Sequence, residues 1–356
     1  RIFFSFLAIL FLSWALKSWI TNQIETKEKK TDLFFIFCFL GISHFLSYAY
    51  GPQSLSYNTI TSNFIITSFS FLLLGLEYKP ARKKLNYLFL FLSGLFVSLV
   101  LFVKLPSGIL ALTILLLFYI FIKERRWHDH LKGFSFLSAG AITGILFYLI
   151  FCQSNNGFLN FLSINIDLIN SSGDGHNVSS LLNGLYLLSI DLLKAFGFGV
   201  VLLITHLIFE HKIKPVFALK GHYYILSFTV VLLFLYLFYQ LFINTSFGTW
   251  KKAITPFAFA SIFILYPIIN NRATIKGPSL NKELLLILFT LFILPFTGAF
   301  GTNNLLLGNS MYMVICCTGI IIIIYSLYEI NVFLKYSLLN LFIIFSACFF
   351  IHYYIY

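Results

Sequence analysis

The feature that most constrains this chain is a rhythm. Apolar runs of about 20 residues recur from end to end, and each is broken by a short polar turn. A continuous run of that length is what a helix needs to cross roughly 30 Å of hydrocarbon. Lipid offers no hydrogen-bond partners, so backbone groups there must be satisfied within a helix or a closed barrel. The runs do not alternate at period two, so helices are expected. The chain is 59% hydrophobic and 10% charged over 356 residues, with mean hydropathy +0.91. Soluble domains carry about 25% charged residues.

The expected fold is therefore all-α, a polytopic transmembrane helical bundle of about twelve spans, with residues 1–356 forming a single transmembrane domain. Spans are expected near 1–20, 33–50, 62–78, 86–103, 106–123, 133–152, 187–208, 224–243, 254–270, 284–300, 311–329 and 336–355. Within the run at 254–270, Pro256 and Pro267 flank a short apolar stretch.

Charge placement tests that count, because cytoplasmic loops hold the excess of Lys and Arg. One alternate set of loops carries 18 of the 24 basic residues, among them Lys83, Lys84, Arg125, Arg126 and Lys132. The other set carries only Lys104, Lys194, Lys251 and Lys252. Residues 1–20 then run from outside to cytoplasm, and the C-terminus lies outside. The longest outer loop is 153–186. The net charge of +12 is topological. It is spread over short loops rather than gathered on one face, so nucleic acid is not an expected partner; the lipid bilayer is.

The chain begins at Arg1 and enters a span at once. A first span that enters from outside implies a fragment, lacking at least one earlier span and the outer loop after it.

The five cysteines lie in or beside apolar runs and read as small core residues. His128, His130, His211 and His222 fall in basic cytoplasmic loops and are expected to be solvated. No metal-ligand spacing, nucleotide-binding loop or nucleophile motif appears in a suitable context. Chemistry is therefore confined to outer loops or cavities between helices.

Four outer places stand out. Gly51-Pro-Gln-Ser-Leu-Ser-Tyr-Asn58 is an uncharged loop whose Tyr57 and Asn58 belong at the membrane surface, as an interfacial belt or as part of a site. Lys104-Leu-Pro-Ser-Gly108 places one cation in a very short outer turn. It can snorkel, but positive-inside topology has no use for it there, and a lipid phosphate or pyrophosphate is a natural partner. In the long loop, 158–169 is apolar enough to lie on the membrane surface. Asp174 and His176 follow in a polar run, as a solvated loop or as a weakly marked acid–base pair. Last, Pro295-Phe-Thr-Gly-Ala-Phe-Gly-Thr-Asn-Asn304 ends with Asn303 and Asn304, amides suited to sugar hydroxyls or simply to a polar turn.

Together these places resemble the membrane-embedded C-class glycosyltransferases (GT-C). The residues that carry the likeness are SYN before a span, LSGLFVSLVLFVKLPSGILAL, and PFTGAFGTNN. The likeness covers most of the chain by layout and about forty residues by motif. It implies a GT-C-like bundle in the inner membrane of a bacterium, with the active site on the outer face. It implies an enzyme that moves a hexosyl or pentosyl group from a polyprenyl-phosphate-linked sugar to an acceptor. Lys104 would neutralise the leaving phosphate, and Tyr57, Asn58, Asn303 and Asn304 would line the pocket. Asp174 and His176 would close over it. The family's catalytic carboxylate lies in its first outer loop, which has no counterpart here. By layout it would fall upstream of Arg1. The family includes members with and without a divalent metal, and the residues leave both open.

Two other classes remain. An O-antigen-type polysaccharide polymerase or ligase would be expected to use outer Arg residues, and apart from Arg1 none lies outside. A non-enzymatic lipid or sugar transporter should show repeats or mid-membrane charges.

Overall fold

Alternating long apolar runs and short breaks produce helices throughout the described residues. The computed structural model describes residues 2–23, 33–48, 57–76, 83–122, 127–151, 282–300 and 310–327, with single residues between 160 and 204. Every element among the described residues is an α-helix.

The helices are α1 (Ile2–Gln23), α2 (Leu33–Tyr48), α3 (Tyr57–Leu76), α4 (Lys83–Val103), α5 (Leu105–Ile122), α6 (Trp127–Phe151), α7 (Lys282–Ala299) and α8 (Ser310–Leu327). Five of these, α1 and α3 to α6, are long and apolar enough to cross a membrane. The protein is an integral membrane protein of helical class. The expected spans at 224–243, 254–270 and 336–355 lie outside the described residues, and 187–208 is described only at single residues, all helical.

The chain forms two compact units. In the first, α3 is the hub. It packs against α1, α4, α5 and α7, and all its residues from Thr61 to Leu76 are buried except Phe64. A buried membrane helix needs adhesion other than the hydrophobic effect, because lipid tails are as apolar as leucine. Polar side chains supply part of it: Asn63 Nδ2 donates to Ser5 Oγ of α1 at 3.2 Å, and Ser68 Oγ donates to the Ser93 carbonyl of α4 at 2.8 Å. In the second unit, Ser43 of α2 and Thr318 of α8 share a hydroxyl–hydroxyl hydrogen bond of 2.6 Å. Cys316 and Cys317 are buried free thiols of α8.

Helices α4 and α6 meet along a seam of small residues. A methyl added at Gly94 would overlap the Leu137 carbonyl oxygen, one at Gly140 the Phe91 carbonyl oxygen, and one at Gly144 the Ser98 hydroxyl. Gly140-Ala-Ile-Thr-Gly144 is a small-xxx-small pattern that lets two backbones touch. On its other side α6 exposes Ile142, Leu146, Phe147 and Ile150, as a lipid-facing helix does.

Two helix starts differ from expectation. Helix α3 begins at Tyr57 rather than near 62, so Tyr57 and Asn58 occupy its first turn instead of a loop. Helix α6 begins at Trp127 rather than near 133. His130 is consequently no solvated loop residue: its ring stacks on Tyr119 with centroids 4.7 Å apart, and its carbonyl accepts the Tyr119 hydroxyl at 2.9 Å. Hydropathy misses such turns because they are polar, although they continue the helix.

Candidate functional site at the Lys104 turn

The α4–α5 connection is a single residue, Lys104. Its N–H still donates to the Val100 carbonyl at 2.8 Å, and its carbonyl accepts from Gly108 N–H at 2.9 Å. Pro106 removes one donor in the first turn of α5, where an N–H has no helical partner anyway. The chain then doubles back. On a straight helix residues 101 and 108 would lie about 10 Å apart, yet a methyl at Gly108 would come within 2.6 Å of the Leu101 nitrogen. Only glycine allows that closeness.

The fold-back drives the Lys104 side chain inward. It is 7% exposed, the single cation among the buried polar and charged described residues. Its ammonium donates to the Gly298 carbonyl at 2.7 Å. That carbonyl belongs to the last turn of α7, where helix carbonyls lack intrahelical partners and carry the negative end of the helix dipole. Beside it, Ser107 Oγ donates to the Phe300 carbonyl at 2.9 Å. Pro295 inside α7 removes a further backbone donor just before this end. The start of α5 thus holds the end of α7 by two side-chain bonds.

Tyr57 covers the same lysine. Its ring centroid lies 5.9 Å from Lys104 Nζ, at the limit of cation–π range, and its side chain is half open. One residue on, Asn58 Oδ1 is buried with no hydrogen-bond partner among the described residues, as is Thr61 Oγ1 one turn further. The Asn58 carbonyl accepts from Ser62 Oγ at 2.8 Å. Lys104 lies between the two spans and outside both, and burial lowers its ammonium from the ordinary lysine range to about 8.

Three of the four places marked in the sequence therefore meet at one end of one unit: the start of α3, the α4–α5 turn and the end of α7. The opposite end of α4 carries a different cluster, in which Lys83 Nζ pairs with Asp129 Oδ1 at 3.0 Å, both at least partly open to solvent. Asn303, Asn304, Asp174 and His176 lie outside the described residues. In 158–169, Asn160, Ser163, Ile164 and Asp167 are helical and exposed. Among the described residues no three metal-ligating side chains gather.

The sequence marks the Pro295–Asn304 stretch but not that Gly298, 194 residues from Lys104, supplies its carbonyl partner. The buried Thr61 lies before the expected span start near 62, in a helical turn too polar for hydropathy to mark.

No protein-family model, curated protein or solved structure matches the chain.

Proposed function

We propose that this integral membrane protein is a glycosyltransferase of the GT-C kind, which moves a sugar from a polyprenyl-phosphate-type lipid donor to an acceptor outside the membrane. The reading includes a bundle of about twelve spans in a bacterial inner membrane, with the C-terminus and the Lys104 turn on the outer side.

The observation that supports it is the buried ammonium of Lys104 at the junction of three helix ends. A cation beneath a half-open aromatic ring, next to buried acceptors with no described partner, is suited to a phosphate joined to a polyhydroxylated group. Phosphate oxygens take the ammonium; sugar hydroxyls donate to Asn58 Oδ1. In the reaction the acceptor oxygen or nitrogen bonds to the anomeric carbon. The bond from that carbon to the phosphate oxygen breaks, and its electron pair leaves on the phosphate. The acceptor proton passes to a base; Asp174 beside His176 is the candidate pair within this chain. Lys104 stabilises the charge that grows on the leaving phosphate, an effect strong in a site shielded from water. Asn303 and Asn304 follow Gly298 closely in sequence and are assigned to the same pocket.

The test is consumption of a polyprenyl-phosphate-linked sugar by the reconstituted protein. Lys104→Ala should lower turnover about 100-fold, the usual cost of losing one charge-stabilising donor, while the protein stays monodisperse. Unchanged turnover removes Lys104 from the site. A wild-type protein that consumes no lipid-linked sugar rejects the whole reading.

A further inference from the structure

The other end of α4 carries a second arrangement, independent of the proposed reaction. Helices α4 and α6 both begin there and run side by side in the same direction, as the pairings Lys83–Asp129, Gly94–Leu137 and Phe102–Tyr148 show along their length. Their facing residues recur at helical spacing. On α4 the row is Tyr87, Phe91, Leu95, Ser98 and Phe102; on α6 it is Phe136, Gly140, Gly144 and Tyr148. Extended by one turn toward the helix starts, the first row reaches Lys83 and Lys84 and the second reaches Lys132. These cations therefore stand over the mouth of the α4–α6 seam.

Among the described residues the charge at that mouth is unbalanced. Asp129 is bound to Lys83, and His128 and Lys132 lie within electrostatic reach of the same carboxylate. No acidic residue occupies the first turn of α4. Lys83 and Lys84 are placed against the positive end of their own helix dipole, and the α6 dipole adds to it. Just inside, Tyr87 and Phe136 stack at 4.8 Å and close the seam. On the side of α4 next to Lys84, Leu85 and Leu88 are exposed; Leu131 and Phe134, also exposed, belong to the far side of α6. Among the described residues the surface is an excess of positive charge above exposed leucines of α4, on a helix pair long and apolar enough to cross a membrane.

We propose that this mouth is a binding site for one anionic phospholipid, whose headgroup phosphate rests between Lys84 and Lys132 and whose acyl chains lie along α4 on Leu85 and Leu88. Charge complementarity selects the headgroup, and the exposed leucines select a lipid over a soluble anion. Each basic residue near a membrane surface adds measurably to affinity for anionic lipid.

The full chain in nanodiscs of equimolar phosphatidylcholine and phosphatidylglycerol, released into mild detergent and weighed by native mass spectrometry, should retain phosphatidylglycerol in preference. Lys84→Gln with Lys132→Gln should weaken that retention roughly thirtyfold, as expected for two surface charges. Lys282→Gln, a described basic residue beside Glu283 at the start of α7, should leave it unchanged. Lys84→Arg with Lys132→Arg keeps the charges and should preserve retention, which covers the case in which the glutamine pair fails to fold. Equal retention by the glutamine pair, equal loss from Lys282→Gln, or loss in the arginine pair would each overturn the site.

Discussion

The two ends of α4 hold lysines under opposite conditions. At Lys83 the cations are several, exposed and matched in part by a carboxylate. At Lys104 there is one cation, buried, which meets a backbone carbonyl and an aromatic ring. Charge counting ranks the first end higher, but energetics reverses the ranking. An exposed pair is screened by water and salt. A buried ammonium has lost its hydration, and each remaining contact counts for more.

The sharpest way to break this contrast is to remove the charge at the buried end while keeping a donor. Lys104→Gln can still reach toward the Gly298 carbonyl, so a capping role alone would leave turnover of a lipid-linked sugar near wild type. The proposed role in charge stabilisation predicts a loss of about 100-fold.

Acidity gives a second test at the same residue. The ammonium is present below about 8 and lost as pH rises through that value. Turnover should therefore fall above pH 8, approaching tenfold per unit, and the fall should vanish in an active Lys104→Arg variant, whose guanidinium stays charged. A flat profile to pH 10 would show that the lysine keeps its proton there or does not matter.

Between the two ends lies the glycine seam. Gly140→Leu must push α6 away from the Phe91 carbonyl, at a cost of about 1–3 kcal/mol or more. Thermal unfolding followed by size-exclusion fluorescence should report a lowered midpoint. Ser107→Ala removes one hydrogen bond to Phe300, worth about 1 kcal/mol, and should lower the midpoint less. At the exposed end, Lys83→Met with Asp129→Asn should leave the midpoint within error. A marked drop there would contradict the contrast drawn between the ends.

The helical class was legible because it follows from local facts. The run Leu105–Ile122 contains no charged residue and matches the hydrocarbon thickness, so a helix is its only economical state in lipid. Lys104 and Tyr57 were legible as exceptions, a cation without topological use and an aromatic at the membrane surface. Their meeting was not. Spacing within one helix is set by a fixed rise per residue, whereas the approach of Lys104 to Gly298 depends on how α5 packs on α7. The α4–α6 seam was hidden for a related reason. Gly94, Gly140 and Gly144 look like ordinary small residues until a partner backbone lies against them.

By itself, then, the sequence determined a membrane-embedded helical protein and marked where its polar exceptions fall, because lipid penalises every unpaired backbone group and every stray charge residue by residue. Only the tertiary structure decided which exceptions meet. It buried Lys104 under Tyr57 and tied it to the end of α7, because contacts between distant segments arise from packing, which no local pattern encodes.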